Sequence, residues 1–232
     1  MSLSPEEWAV LGLSLRVSLV ATGVGLPVAF GLAWLLARHE FPGRILLDGL
    51  VHLPLVTPPV VIGWLLLSLL GPAGAVGKLL QDVFGITLVF SWTGAALAAG
   101  VMALPLMVRA MRLSIENVDR RLENAALTLG ASRREVFLRV SLPLALPGVL
   151  AGAVLGFARS VGEFGATIAF VSNIPGETRT LSLAIYTALQ TPGGEGSAMR
   201  LAVFAVALSI FALGLSEYLT RQGRRQEARH VV

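Results

Sequence analysis

Between two apolar runs lies a charged, amphipathic stretch, Val118-Asp119-Arg120-Arg121-Leu122-Glu123-Asn124-Ala125-Ala126-Leu127-Thr128-Leu129-Gly130-Ala131-Ser132-Arg133-Arg134-Glu135. Val118, Leu122, Ala125, Ala126 and Leu129 recur at helical spacing and form one apolar stripe, with Arg120, Arg121 and Glu123 facing away from it. Asp119 reads as an N-cap and Gly130 as a helix stop. Ser132 followed by Glu135 reads as a capping box that opens a second helix. The chemistry on offer is recognition rather than reaction. Each stripe residue gains roughly 1.5–3 kcal/mol only where something covers it fully. That cover is either another protein or, on the bland reading, the lipid headgroups.

The other residues able to do chemistry are few. Arg159 and Glu163 stand four apart near the end of an apolar run, beside Gly165 and Thr167. Ionisable residues inside a membrane are costly and call for partners. They read either as part of a pore or gate, or as an i,i+4 pair that stabilises its helix. Pro58 and Pro59, with Pro54, interrupt another apolar run, where freed carbonyls line a cavity or simply accommodate a kink. His52 has no cluster of His, Cys or acids in the sequence around it and reads as a packed or interfacial histidine. Gly71 to Lys78 only imitates a phosphate loop: Pro72 and Leu79 stand where that motif needs other residues. Neither a catalytic constellation nor a metal or cofactor site is read from the sequence.

These residues must be held by membrane helices. The 232-residue chain is 55% hydrophobic and 14% charged, against about 25% charged in soluble domains. It has no cysteine, so neither a disulfide framework nor a thiolate site is available. The net charge of +4 is not a nucleic-acid signal, because the arginines sit at the ends of apolar runs. Spans of roughly 20 apolar residues are expected at about 17–37, 50–70, 86–108, 140–158 and 199–219. Phe164–Ser172 and Leu181–Leu189 are too short to cross and are expected as re-entrant or surface pieces. Most of the 18 basic residues then fall on one side, among them Arg38, Arg44, Arg109, Arg112, Arg139 and Arg221 to Arg229. The positive-inside rule puts that side, and loop 119–135, in the cytoplasm, with the N-terminus out and the C-terminus in. Glu6 and Glu7 stand where a secretory signal would be basic, so none is read. Gly148, Gly152 and Gly156, four apart, allow close helix packing, either within a subunit or across a dimer seam. One domain, 1–232, is expected.

The loop carries a resemblance. Ala125-Ala126, Gly130, Val140 and Leu142-Pro143 resemble the Glu-Ala-Ala loop of bacterial ABC-importer permeases, whose glutamate position holds Asn124 here. An acid sits one residue earlier, at Glu123, about 100° around a helix from that place. Further stretches resemble permeases of molybdate importers: 33–38 with 41–43, 52–60, 157–167, and Ser172-Asn173-Ile174-Pro175-Gly176-Glu177-Thr178-Arg179-Thr180. Sulfate and tungstate permeases share the loop and the Glu163-Phe164-Gly165-Ala166 run.

The resemblance implies an all-α polytopic inner-membrane protein with the type I ABC-importer permease fold, working as a homodimer. Leu122, Glu123, Asn124, Ala125, Ala126, Leu129 and Gly130 would dock on one ATPase subunit per copy. ATP and magnesium would bind on that partner, with no cofactor on this chain. An external binding protein would deliver the oxyanion, molybdate in the first instance and tungstate or sulfate as the alternative. A secondary carrier would need inverted repeats, which the sequence lacks.

Overall fold

The computed structural model describes residues 3–229, and every element among them is helical. Side chains beyond Leu215, Tyr218 excepted, lie outside what is described, including Glu217 and the arginines from Arg221 onward.

Helix α1 (Pro5–Arg38) opens on a capping box between Ser4 and Glu7 and absorbs the whole predicted first span together with its lead-in. Then come α2 (Arg44–Val56), α3 (Pro59–Leu70), α4 (Ala75–Phe84) and the long α5 (Trp92–Glu116). The charged stretch forms α6 (Arg120–Thr128) and α7 (Arg133–Val136), followed by a π-helical turn, Phe137–Ser141. Helix α8 (Leu142–Val161) continues from that turn. The chain ends with α9 (Gly165–Val171), α10 (Leu181–Gln190) and α11 (Glu195–Arg229).

Side-chain neighbours fix the directions. Arg16 lies 3.8 Å over the Trp92 ring, Gly100 faces Ala21 and Gly25 faces Met107, so α1 and α5 run parallel. Gly148 faces Ser114 and Ala110, and Gly156 faces Met107, so α8 runs against α5. This settles the glycine seam: it seats α8 on α5 within one subunit. Helix α11 begins beside the start of α1, where Ser197 and Arg200 reach Glu7.

Because α1 and α5 are parallel, the chain must recross between them. The return is made by α2 and α3, which together replace the predicted span 50–70 and are bent by 118°. Hydropathy runs unbroken through this stretch, but the backbone does not. Pro58 forces Thr57 into an extended conformation, ψ 139°, and Pro59 is suited only to start a new helix. Among the described residues four straight helices are long and apolar enough to cross a membrane, and five segments are when the bent pair is counted as one span.

The third predicted span starts later than its apolar run. Ser91 accepts a bond from the Gly94 N–H at 3.2 Å and sets the helix start at Trp92 rather than at 86. The fourth span is a continuous 29-residue helical stretch, Arg133–Val161. The fifth starts at Glu195. The core is built from small and flexible residues: Ala95, Ala98, Ala99, Met102, Met107 and Met111 on α5 are essentially inaccessible. Such residues let helices approach closely where lipid supplies no hydrophobic drive. Of the two short apolar pieces, α9 is largely buried against α3, and α10 packs beside α11.

Candidate functional site

Helices α6 and α7 make the helix-turn-helix read from the sequence, with each cap in place. Asp119 accepts from the Arg121 N–H at 2.8 Å. The end of α6 is a Schellman motif: the Ala131 N–H reaches the Ala126 carbonyl and the Gly130 N–H the Leu127 carbonyl, both at 3.0 Å. Gly130 sits at φ +91°, which glycine adopts without strain. The Ser132–Glu135 capping box is formed in both directions.

Helix α6 has no buried residue. Leu122 is 52% exposed and Leu129 88%, and Ala125 lies exposed between them. Val118 leaves the predicted stripe and is buried in the core with Ile115 and Met111. Asn124 is exposed.

Glu123 points away from the exposed Leu122–Ala125–Leu129 stripe and in toward the bundle, and Ala126 leaves the stripe to join it as the other residue of α6 that is not exposed. Glu123 Oε1 accepts from Arg38 Nη2 at 2.8 Å and from the Ser141 hydroxyl at 2.6 Å. Sequence spacing gave no signal for this, because Arg38 lies 85 residues away.

A second cluster forms where α3, α8 and α9 meet. Arg159 Nη1 lies 2.6 Å from Glu163 Oε2, and the Ala166 N–H donates to Glu163 Oε1 at 2.8 Å. Glu163 is buried and caps the start of α9 while holding its ion pair. Gly165 abuts the second proline of the bend: a Cβ on it would lie 2.8 Å from Pro59. Pro58 supplies the N-cap position of α3, and Thr167 is buried one turn into α9. The predicted pore residues thus fall in one neighbourhood, although they come from two distant stretches of sequence. His52 accompanies Asp48, Arg112 and Glu116 at the loop end of the bundle. Among the described residues no group of three His, Asp or Glu is placed to hold a metal.

Residues 25–225 match the family model described as binding-protein-dependent transport system inner membrane component. The chain belongs to this family. As a binding-protein-dependent inner-membrane transport component it is a multi-pass membrane protein and a transport subunit rather than an enzyme. It is 56% identical over 229 residues to the molybdenum transport system permease protein ModB of Escherichia coli K12, covering 99% of this chain and 100% of that protein. The Haemophilus influenzae ModB is 55% identical, with 95% and 96% covered. The sulfate transport system permease protein CysT of Salmonella typhimurium is 35% identical, with 96% and 80% covered. Among solved structures, a bacterial alginate ABC transporter in complex with its periplasmic protein superposes with a TM-score of 0.72 at 19% identity, covering 96% of this chain and 80% of that one. The fold is therefore that of the ABC-importer permeases.

At the end of this transport component opposite the loop, Glu7 is buried and bound by three groups. Ser197 donates at 2.6 Å, Arg200 at 2.8 Å and the Ser4 N–H at 2.8 Å. Sequence reading missed this anchor, though Ser4 three residues before Glu7 is itself a capping-box signal. Nearby, the 172–180 loop is ordered by Thr178, whose hydroxyl accepts from the Ile174 N–H and donates to the Ser172 carbonyl. A cavity of about 460 Å³ opens there, lined by Glu6, Arg179, Thr187 and the start of α11.

Proposed function

We propose that this chain is the membrane-spanning subunit of an ATP-driven importer for molybdate, acting as a homodimer. Each copy presents loop 119–135 to one ATPase subunit, and a binding protein delivers the tetrahedral oxyanion at the opposite face. The observation that carries the docking role is the exposed stripe Leu122–Ala125–Leu129 on a fully capped helix. A capped, preorganised helix offers its apolar side chains with little ordering cost on association. The basic residues around it put that face in the cytoplasm.

Closure of the ATPase pair would pull α6 and rock the two permease copies between inward- and outward-facing states. The bend at Pro58–Pro59 and the α3–α9 contact supply the movable part of the path. Glu163 is committed to Arg159 and to the cap of α9, so it gates by holding α9 in place rather than by touching an anion. Arg159, Gly165 and Thr167 belong to the same gate region.

Molybdate is preferred over sulfate because the chain is 56% identical to ModB and 35% identical to CysT. Uptake of labelled molybdate in competition with tungstate and sulfate tests the substrate. Sulfate competing as well as molybdate overturns this reading. Copurification of an ATPase tests the assembly.

A further inference from the structure

We propose that Glu123 is a positioning residue for ATP-driven uptake: it ties α6, the exposed helix of loop 119–135, to two long helices at once. The proposal rests on loop 119–135 being the ATPase-docking element. With no buried residue of its own, α6 is held to the bundle on the face that carries Glu123 and Ala126. Apolar contact at an alanine resists sliding weakly, because it is non-directional. The two bonds on Glu123 Oε1 are directional and charge-assisted.

Both partners are fixed. The Arg38 side chain is only 9% exposed and ends α1; Ser141 is buried in the π-helical turn that leads into α8. Arg38 lies over the Trp34 ring at 5.5 Å, and Trp34 meets Phe137 edge-on at 5.0 Å. Phe137 belongs to the same π-helical turn as Ser141. The contacts therefore close a ring from α6 to α1, on to the π-helical turn, and back to α6. π-Turns recur at functional sites, where they give a helix a local adjustment.

The ion pair is single-pronged. Arg38 Nε is buried without an acceptor, whereas arginine and carboxylate favour two parallel bonds. A shift of α6 that carried Glu123 Oε2 to that Nε would complete the two-pronged pair, so the tether has a second way to hold as the loop moves. The displaced acid of this sequence thus faces the permease itself, while Asn124 takes the exposed place.

The test uses the whole transporter in proteoliposomes, with oxyanion uptake and ATP hydrolysis measured on the same sample and ATPase copurification measured beside them. Arg38→Gln and Glu123→Gln are expected to lower uptake per ATP hydrolysed by about tenfold, since each leaves a buried charge or its partner uncompensated. The ATPase still copurifies with the Arg38→Gln chain. Arg38→Lys keeps the charge and recovers most of the ratio, as does the exchange Arg38→Glu with Glu123→Arg. An unchanged ratio in Glu123→Gln overturns the proposal. So does loss of the ATPase from Glu123→Gln as complete as from Leu122→Asp, which would make Glu123 part of the docking surface. A wild-type chain that retains no ATPase removes the docking reading and the tether with it.

Discussion

Single residues in this chain divide sharply between those that hold α6 together and those it shows to solvent. Leu122 is half exposed and is not a member of the buried core clusters. Leu122→Asp is therefore expected to leave the protein folded and membrane-inserted while abolishing ATPase copurification and uptake. Gel filtration in detergent with the ATPase present checks this; normal uptake would remove Leu122 from the docking surface. Gly130 acts differently. At φ +91° a side chain is strained, so Gly130→Ala is expected to destabilise the α6 C-terminus by about 1 kcal/mol, seen as faster hydrogen exchange in the loop with the rest of the chain unchanged. Glu163 is the third case. Glu163→Leu removes both its ion pair and the cap of α9, leaving the Ala166 N–H without its acceptor and the part-exposed Arg159 without its partner, and is expected to cost roughly 1–3 kcal/mol. A thermal unfolding midpoint in detergent that does not fall would argue against a structural role for the pair.

The secondary-structure elements show which parts of the fold were written locally. Every cap of the helix-turn-helix was legible, because Asp119, Gly130, Ser132 and Glu135 act within four residues of themselves. The bend between α2 and α3 was only half legible. Its prolines were visible, but an apolar run through Pro58 and Pro59 keeps the hydropathy of a single span. What could not be read were partners distant in sequence: Arg38 for Glu123, Arg200 for Glu7, and Met107 for Gly156. The α3–α9 contact is of this kind as well. A Cβ on Gly63 would come within 2.5 Å of the Ala166 carbonyl oxygen. Gly63→Leu should force α3 off α9 and stop uptake with the ATPase still bound; unimpaired uptake would show that this contact is no part of the gate.

For the whole molecule, three long helices run one way and one runs back, and the bent pair supplies the missing return. The arrangement places the charged loop at one end and the Glu7–Arg200 anchor with the 172–180 loop at the other. Cysteines introduced at Arg121 and at Gly176 should therefore react with impermeant thiol reagents from opposite sides of the membrane. Labelling of both from the same side would overturn the five-crossing topology. The sequence contains no native cysteine to confuse the readout.

The stretch Arg133–Val161 has one further consequence. It is 29 residues of unbroken helix, roughly 44 Å at 1.5 Å per residue, and it begins immediately after the turn that follows α6. The segment beside the docking surface and the segment that crosses the bilayer are thus one rod. A tilt of a few degrees imposed at its Arg133 end sweeps Val161, and with it the Arg159–Glu163 pair, sideways by several ångströms. The joints along that rod are the π-helical turn at Phe137–Ser141 and the proline within α8, Pro147, so the stiffness of these few residues decides how much of a push at one face of the membrane arrives at the other.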